Sequence, residues 1–233
     1  MFRKEINERS PMRIFEQSIH GGLGRGNVGL VLSHPGLGKT PFLVGIALDD
    51  LMRERKVLHM DTKHSAPHVR EYYEEIFRDL AITNKLEDRS TVHLMMEQNR
   101  VINSFCHGSF EMQKFERGIG YMMDHMQFKP DLIIMDGYPD LKKTNPDELA
   151  AIKALGTRID AEVWLSGLMD VEAPGNELPG HVAELSAHLD VVVAMNPTAD
   201  HVRLQILKDH DNADLSDLHI ELDPKTLLLI NES

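Results

Sequence analysis

Apolar runs of strand length alternate with stretches of helical period along most of the chain. Asn27–Leu32 is the first run, rich in β-branched residues, and the helical pattern Thr40–Glu54 follows it after a glycine-rich turn. Lys56–Met60 predicts a second strand and Pro67–Leu80 a helix, whose early carboxylate Glu71 suits the helix dipole. Thr91–Met96 (TVHLMM) predicts a third strand, and Glu111–Gln127 a methionine-rich helix. Asp131–Met135 predicts a fourth strand, Asp147–Asp160 a helix and Glu162–Leu165 a fifth strand. Strand-like runs then follow at Leu189–Met195, Arg203–Leu207, His219–Leu222 and Thr226–Ile230. Strands alternating with helices predict βαβ units, with helices on both faces of a mostly parallel sheet. The nearly all-apolar runs at Asp131–Met135 and Leu189–Met195 agree, because such strands are buried on both faces. The closing strands, with few helices between them, predict an antiparallel C-terminal edge. The expected fold class is therefore α/β.

The 233 residues suit one domain, residues 14–233, preceded by a polar N-terminal arm, residues 1–13. Arg3, Lys4, Arg9 and Arg13 make that arm basic, and it is expected to dock on a neighbour's acidic tail. No apolar run approaches the ~18 residues that span a bilayer, and the first residues are too polar for a signal peptide. One cysteine excludes an internal disulfide framework. A cytoplasmic protein with no membrane partner is expected. The methionines Met112, Met122, Met123 and Met126 read as core filler. The thirteen histidines show no metal-ligand spacing: His64 and His68 are four apart, but Pro67 between them opposes a shared helical face.

Net charge refines the picture. The chain carries −12, distributed as +3 over residues 1–63, −5 over 64–169 and −10 over 170–233. A chain this acidic is a poor candidate for coating nucleic acid.

The strongest chemical signal is Ser33-His34-Pro35-Gly36-Leu37-Gly38-Lys39-Thr40-Pro41, between the first strand and its helix. Glycines there let successive N–H groups turn inward onto phosphate oxygens, and a helix N-terminus adds its positive end. This is a P-loop context: Lys39 reaches the β- and γ-phosphates, and the Thr40 hydroxyl ligates Mg²⁺. Pro41 falls in the first turn, where its missing N–H costs little. Ser33 departs from the glycine that the pattern asks for. Asp136 ends the fourth strand and would hold the Mg²⁺ water shell beside the loop. The expected cofactors are ATP and Mg²⁺.

With both motifs placed, residues 14–230 resemble the RecA-like P-loop ATPases, in particular the KaiC, RadA and DnaB-type branch. Gly21–Asn27 resembles the glycine-rich lead-in of KaiC and RadA proteins, and His34–Phe42 resembles the P-loop of DnaB-type helicases, where the first glycine is also often replaced. Leu165–Leu168 is similar to the family's sensor strand, and Leu185–Met195 with Leu204–Asn212 to its late strands. The resemblance implies one RecA-like domain and a homo-oligomer, ring or filament. It also exposes departures. The glutamate that acts as general base at the end of the family's second strand is matched by Lys63, with Asp61 as the alternative base in a shifted register. Gly167 stands at the sensor position. The trans-acting Lys-x-Arg pair reads Lys208-Asp209-His210, so Lys208 and His210 are the candidates contributed by a neighbour. Binding parts are kept and hydrolysis parts are altered.

The expected function is therefore an ATP–Mg²⁺-binding regulatory or assembly protein, KaiC-like in kind, with weak or absent hydrolysis. The alternative is a DnaB- or RadA-like replication or recombination accessory. It is disfavoured by charge, since the expected channel loops, Glu97–Phe110 and Asp170–Pro179, hold one arginine between them against four acids. A small-molecule kinase would need an arginine-rich lid, and residues 170–233 hold only Arg203.

Overall fold

A computed structural model describes residues 1–105, 108–169, 177–215, 220–226 and 228–231. The protein is α/β, with one nine-stranded sheet. Two short helices open the chain, α1 (Arg3–Glu8) and α2 (Met12–Ser18). They are followed by β1 (Val28–Ser33), α3 (Lys39–Met52), β2 (Val57–Asp61), α4 (Ala66–Thr83) and α5 (Arg89–Gln98). Next come β3 (Arg100–Ser104), α6 (Met112–His125), β4 (Leu132–Asp136), α7 (Pro146–Ile159), β5 (Glu162–Leu168) and α8 (Gly180–Ala183). The chain closes with β6 (Val191–Pro197), β7 (Val202–Asp209), β8 (Ile220–Leu222) and β9 (Leu229–Asn231).

The strand order is β3-β2-β4-β5-β1-β6-β7-β8-β9. From β3 through to β6 every pairing is parallel, and β6 to β9 are antiparallel. The mostly parallel sheet with an antiparallel C-terminal edge is thus as the sequence predicts. Alternate side chains of the central strands feed two apolar cores. One packs β1, β2, β4 and β6 against α1 to α5. The other packs the opposite faces of those strands against α6 and α7. Helix α3 is apolar almost all round, as a helix inside a core must be, and Phe42, Leu43, Val44, Ala47 and Leu51 are buried.

One expected element is of the other type. Thr91–Met96 lies in α5, and the third strand is Arg100–Ser104. Val92 and Met96 are both buried, at helical spacing i and i+4, whereas Leu94 is 59% exposed. The β-branched Thr-Val start suggests a strand, but tertiary packing of one helical face decides. Strand β3 is an edge strand of mixed residues and half-buried positions, so it carries little periodic signal. The expected channel loop Glu97–Phe110 therefore contains a strand, and residues 170–176 of the other expected loop lie outside the described residues.

The methionine reading holds for Met122, which is buried, and for Met112 and Met123, which pack on that core; Met126 is exposed. Residues 1–13 are folded onto the domain, with Ile6 and Met12 in the core. Arg3 pairs with Glu54, and Arg13 with Glu16 and Asp49, so two of the four arm cations are spent within the chain. Among the described residues no helix is long and apolar enough to cross a membrane.

Candidate functional site

Strands β2, β4, β5 and β1 all end at one edge of the sheet, and in register. Asp61 lies opposite Asp136, and Ser33 opposite Leu168. The chain leaves β1 at Ser33 and enters α3 through His34–Gly38. Gly36 and Gly38 take φ of +81° and +92°, a region that residues with a Cβ rarely adopt. At Gly38 a Cβ would also lie 2.9 Å from Leu222 Cδ2, so β8 closes directly behind the loop.

This backbone leaves its donors unused. Among the described residues the amides of Gly36, Leu37, Gly38, Lys39 and Thr40 reach no acceptor, and the N-cap Gly38 has no side chain to supply one. These five N–H groups run from the glycine loop into the first turn of a fourteen-residue helix, the arrangement that binds anions. Lys39 is buried at that junction. Its ammonium donates to Ser33 Oγ at 2.9 Å, and to the carbonyls of Ser33 and His34 at 3.4 Å each. Ser33, the departure from the glycine pattern, therefore steadies the lysine. Burial lowers the Lys39 pKa to about 8, the positive charge of Lys63 adds to this, and Asp136 opposes it.

Asp136 is buried and held from both sides. One carboxylate oxygen accepts from the Thr40 hydroxyl, and the other from Ser166 Oγ. Ser166 Oγ also accepts from the Gly137 amide at 2.8 Å. The sequence pattern missed Ser166, although it lies beside Gly167 in the stretch singled out as the sensor strand. Gly167 has no room for a sensor side chain, because a Cβ there would run into Leu141 and Leu32.

The end of β2 brings Asp61, not Lys63, beside Asp136. Asp61 is fully buried. One of its oxygens accepts the Lys63 and His64 amides at 2.6 and 2.7 Å, and the other contacts His64 Nδ1 at 2.9 Å. Lys63 arches over Gly137, where a Cβ would meet Lys63 Cε at 3.1 Å, and its ammonium has no partner among the described residues. Two residues before Asp61, on the same face of β2, His59 is completely buried against the Tyr73 hydroxyl at 3.0 Å. Burial lowers the His59 pKa to about 4, so the ring is neutral at pH 7. His59 and Tyr73 have no motif signature. Only the packing of α4 onto β2 joins them.

Lys208 and His210 are held elsewhere. Lys208 pairs with Val192, whose own neighbour on β1 is Leu30, three residues and so about 10 Å before Ser33. Its ammonium donates to the carbonyls of Ser186 and Leu189. His210 contacts Asp209 at 2.7 Å and the Leu23 carbonyl at 3.1 Å.

Fold and site define an α/β protein whose parallel sheet edge carries a glycine loop of unpartnered amides beside a buried histidine–aspartate cluster. No protein-family model matches the chain, and no curated protein matches it.

Proposed function

We propose that the chain is a RecA-like P-loop protein that binds ATP with Mg²⁺ and turns it over slowly or not at all, occupancy gating assembly of copies of the chain. The observation that carries this reading is the loop of five unpartnered amides that leads into Lys39, whose ammonium is held by Ser33 and His34. Phosphate oxygens satisfy donors of this kind, and the helix dipole favours their charge. The Thr40 hydroxyl and the Asp136 carboxylate meet at one point, a hard-oxygen pair that fits Mg²⁺ with its remaining waters. When bound, the ion neutralises charge on the phosphates.

Slow turnover follows from what stands beside the loop. Hydrolysis needs a free base to orient water. Asp61 is fixed by two amides and an imidazole and is not free to swing toward a water, and Lys63 brings a cation. A cation that attracts the triphosphate equally in ground and transition states tightens binding without speeding the reaction. The segregation of charge, +3 over residues 1–63 against −10 over 170–233, supports head-to-tail assembly better than a nucleic-acid channel.

Phosphate release measured beside solution mass, with ATP, ADP or no nucleotide, tests the reading. Turnover well below about 1 s⁻¹ is expected, with a larger mass in ATP. Lys63→Ala is expected to weaken ATP binding about tenfold. Enzyme-like turnover that is lost in Asp61→Asn and kept in Lys63→Ala would overturn slow hydrolysis.

Binding is also expected to take up protons. The lowered pKa of Lys39 leaves about half the lysines neutral at pH 8 and about a tenth at pH 7, and an adjacent phosphate restores the charged form. Calorimetric titration of ATP in two buffers of different ionisation enthalpy should give about half a proton taken up per site at pH 8, falling steeply by pH 7. Equal heats in both buffers at pH 8 would contradict this.

A further inference from the structure

We propose that His59, Asp61 and Asp136 are the protein ligands of a divalent-cation site that takes Mn²⁺ in preference to Mg²⁺. This deepens the proposed nucleotide site, which shares Asp136, and rests on that reading only for the placement of the ion beside phosphate.

The three side chains converge because of strand register. His59 and Asp61 are two apart on β2 and share a face, and Asp136 lies across from Asp61 on β4. One ring nitrogen and one oxygen from each carboxylate lie within 4.8 Å of one another. Three donors about 2.2 Å from a common ion lie roughly 3–4 Å from one another, so closing around it takes side-chain shifts of up to about 1 Å.

The histidine supplies the second observation. It is fully buried, and its Nε2 has no hydrogen-bond partner. Buried polar atoms are nearly always satisfied, so this nitrogen lacks what an ion would provide. Its other nitrogen, Nδ1, meets the Tyr73 hydroxyl at 3.0 Å, and Tyr73 is fixed by burial and by the Arg100 guanidinium 4.2 Å above its ring. A ligating imidazole keeps such an outer partner. Both carboxylates are likewise oriented, Asp61 by the Lys63 and His64 amides and Asp136 by Ser166 and Thr40.

Donor chemistry selects the ion. Mg²⁺ is bound through oxygen ligands and parts reluctantly with water, whereas Mn²⁺ shares its preference for carboxylate oxygen and, as the first and weakest of the transition-metal series, also takes an imidazole nitrogen.

The test is a Mn²⁺ titration of the full chain without nucleotide, followed by electron paramagnetic resonance with spin-echo detection of nitrogen. One Mn²⁺ per chain is expected, with ¹⁴N coupling, displaced only by Mg²⁺ in at least tenfold excess. His59→Gln should remove the nitrogen coupling and weaken binding about 10- to 100-fold. No binding up to about 1 mM Mn²⁺, displacement by an equal concentration of Mg²⁺, or coupling that survives in His59→Gln would overturn the proposal. If His59→Gln does not fold, the wild-type Mn²⁺/Mg²⁺ ratio and a tenfold loss in Asp61→Asn decide instead. Lys39→Ala separates the two readings, since it should lose ATP and keep Mn²⁺. A wild-type chain that binds Mn²⁺ and never ATP supports the ion site and rejects the nucleotide reading.

Discussion

Lys39→Ala is expected to abolish ATP binding while leaving the nucleotide-free protein folded. A hydrogen bond to a charged group contributes roughly 1.5–3 kcal/mol, and a lysine that spans two phosphates makes two, so affinity should fall by about two to four orders of magnitude. The fold should tolerate the loss. The ammonium is buried against two carbonyls and a hydroxyl, and its lowered pKa records that the charge is disfavoured there. The melting temperature without nucleotide should therefore be unchanged or slightly raised. Titration of a fluorescent ATP analogue into both proteins is the measurement. An affinity within about threefold of wild type would remove Lys39 from the site and the proposed function with it.

Gly29→Ala should produce the largest loss of stability. Gly29 is the second residue of β1 and pairs in register with Trp164 of β5. A Cβ on Gly29 would lie 2.5 Å from Cε3 and Cζ3 of that indole. The indole is rigid, almost fully buried and packed against Phe15 at 5.9 Å, so it cannot swing aside. Overpacking costs about 1–3 kcal/mol and sometimes more, and a clash with a fixed ring belongs at the upper end. A loss of about 3 kcal/mol lowers the melting temperature of a protein this size by about 6–12 °C. Trp164→Leu in the same chain should recover part of it, because the clash exists only with both groups present. Thermal unfolding of the single and double variants checks both statements. A melting point within about 2 °C of wild type would show that the indole moves.

The central strands were legible because their physics is local. Each buries both faces, so VGLVLS and LIIMD read as strands without knowledge of their neighbours. The glycine loop was legible for a similar reason, since positive φ and a following helix are written into consecutive residues. Edge strand β3 was not: RVINS is half exposed, and the apolar residues just before it belong to a helix. Site residues divide in the same way. Lys39, Thr40 and Asp136 carry local signatures. Asp61 and Lys63 lie two apart, and only the pairing of β2 with β4 shows which one faces the acid. Ser166, His59 and Tyr73 act across strands and helices, where spacing along the chain carries no information. The glycine at 167 looked like a missing sensor, and packing gives it another cause in the space taken by Leu141.

Ser166 stands on β5, the one strand between β1 and β4, with its hydroxyl on Asp136 and on the amide that follows it. The rotamer of that carboxylate is thus set when the sheet forms, before any ligand arrives. An ion that meets it finds an acid already aimed, and binding is spared the entropy of stilling a swinging side chain. Selectivity at this edge is then a matter of rigidity as much as of charge. At the proposed ion site, a hydroxyl one strand away would limit how far the acid can move to close on an ion.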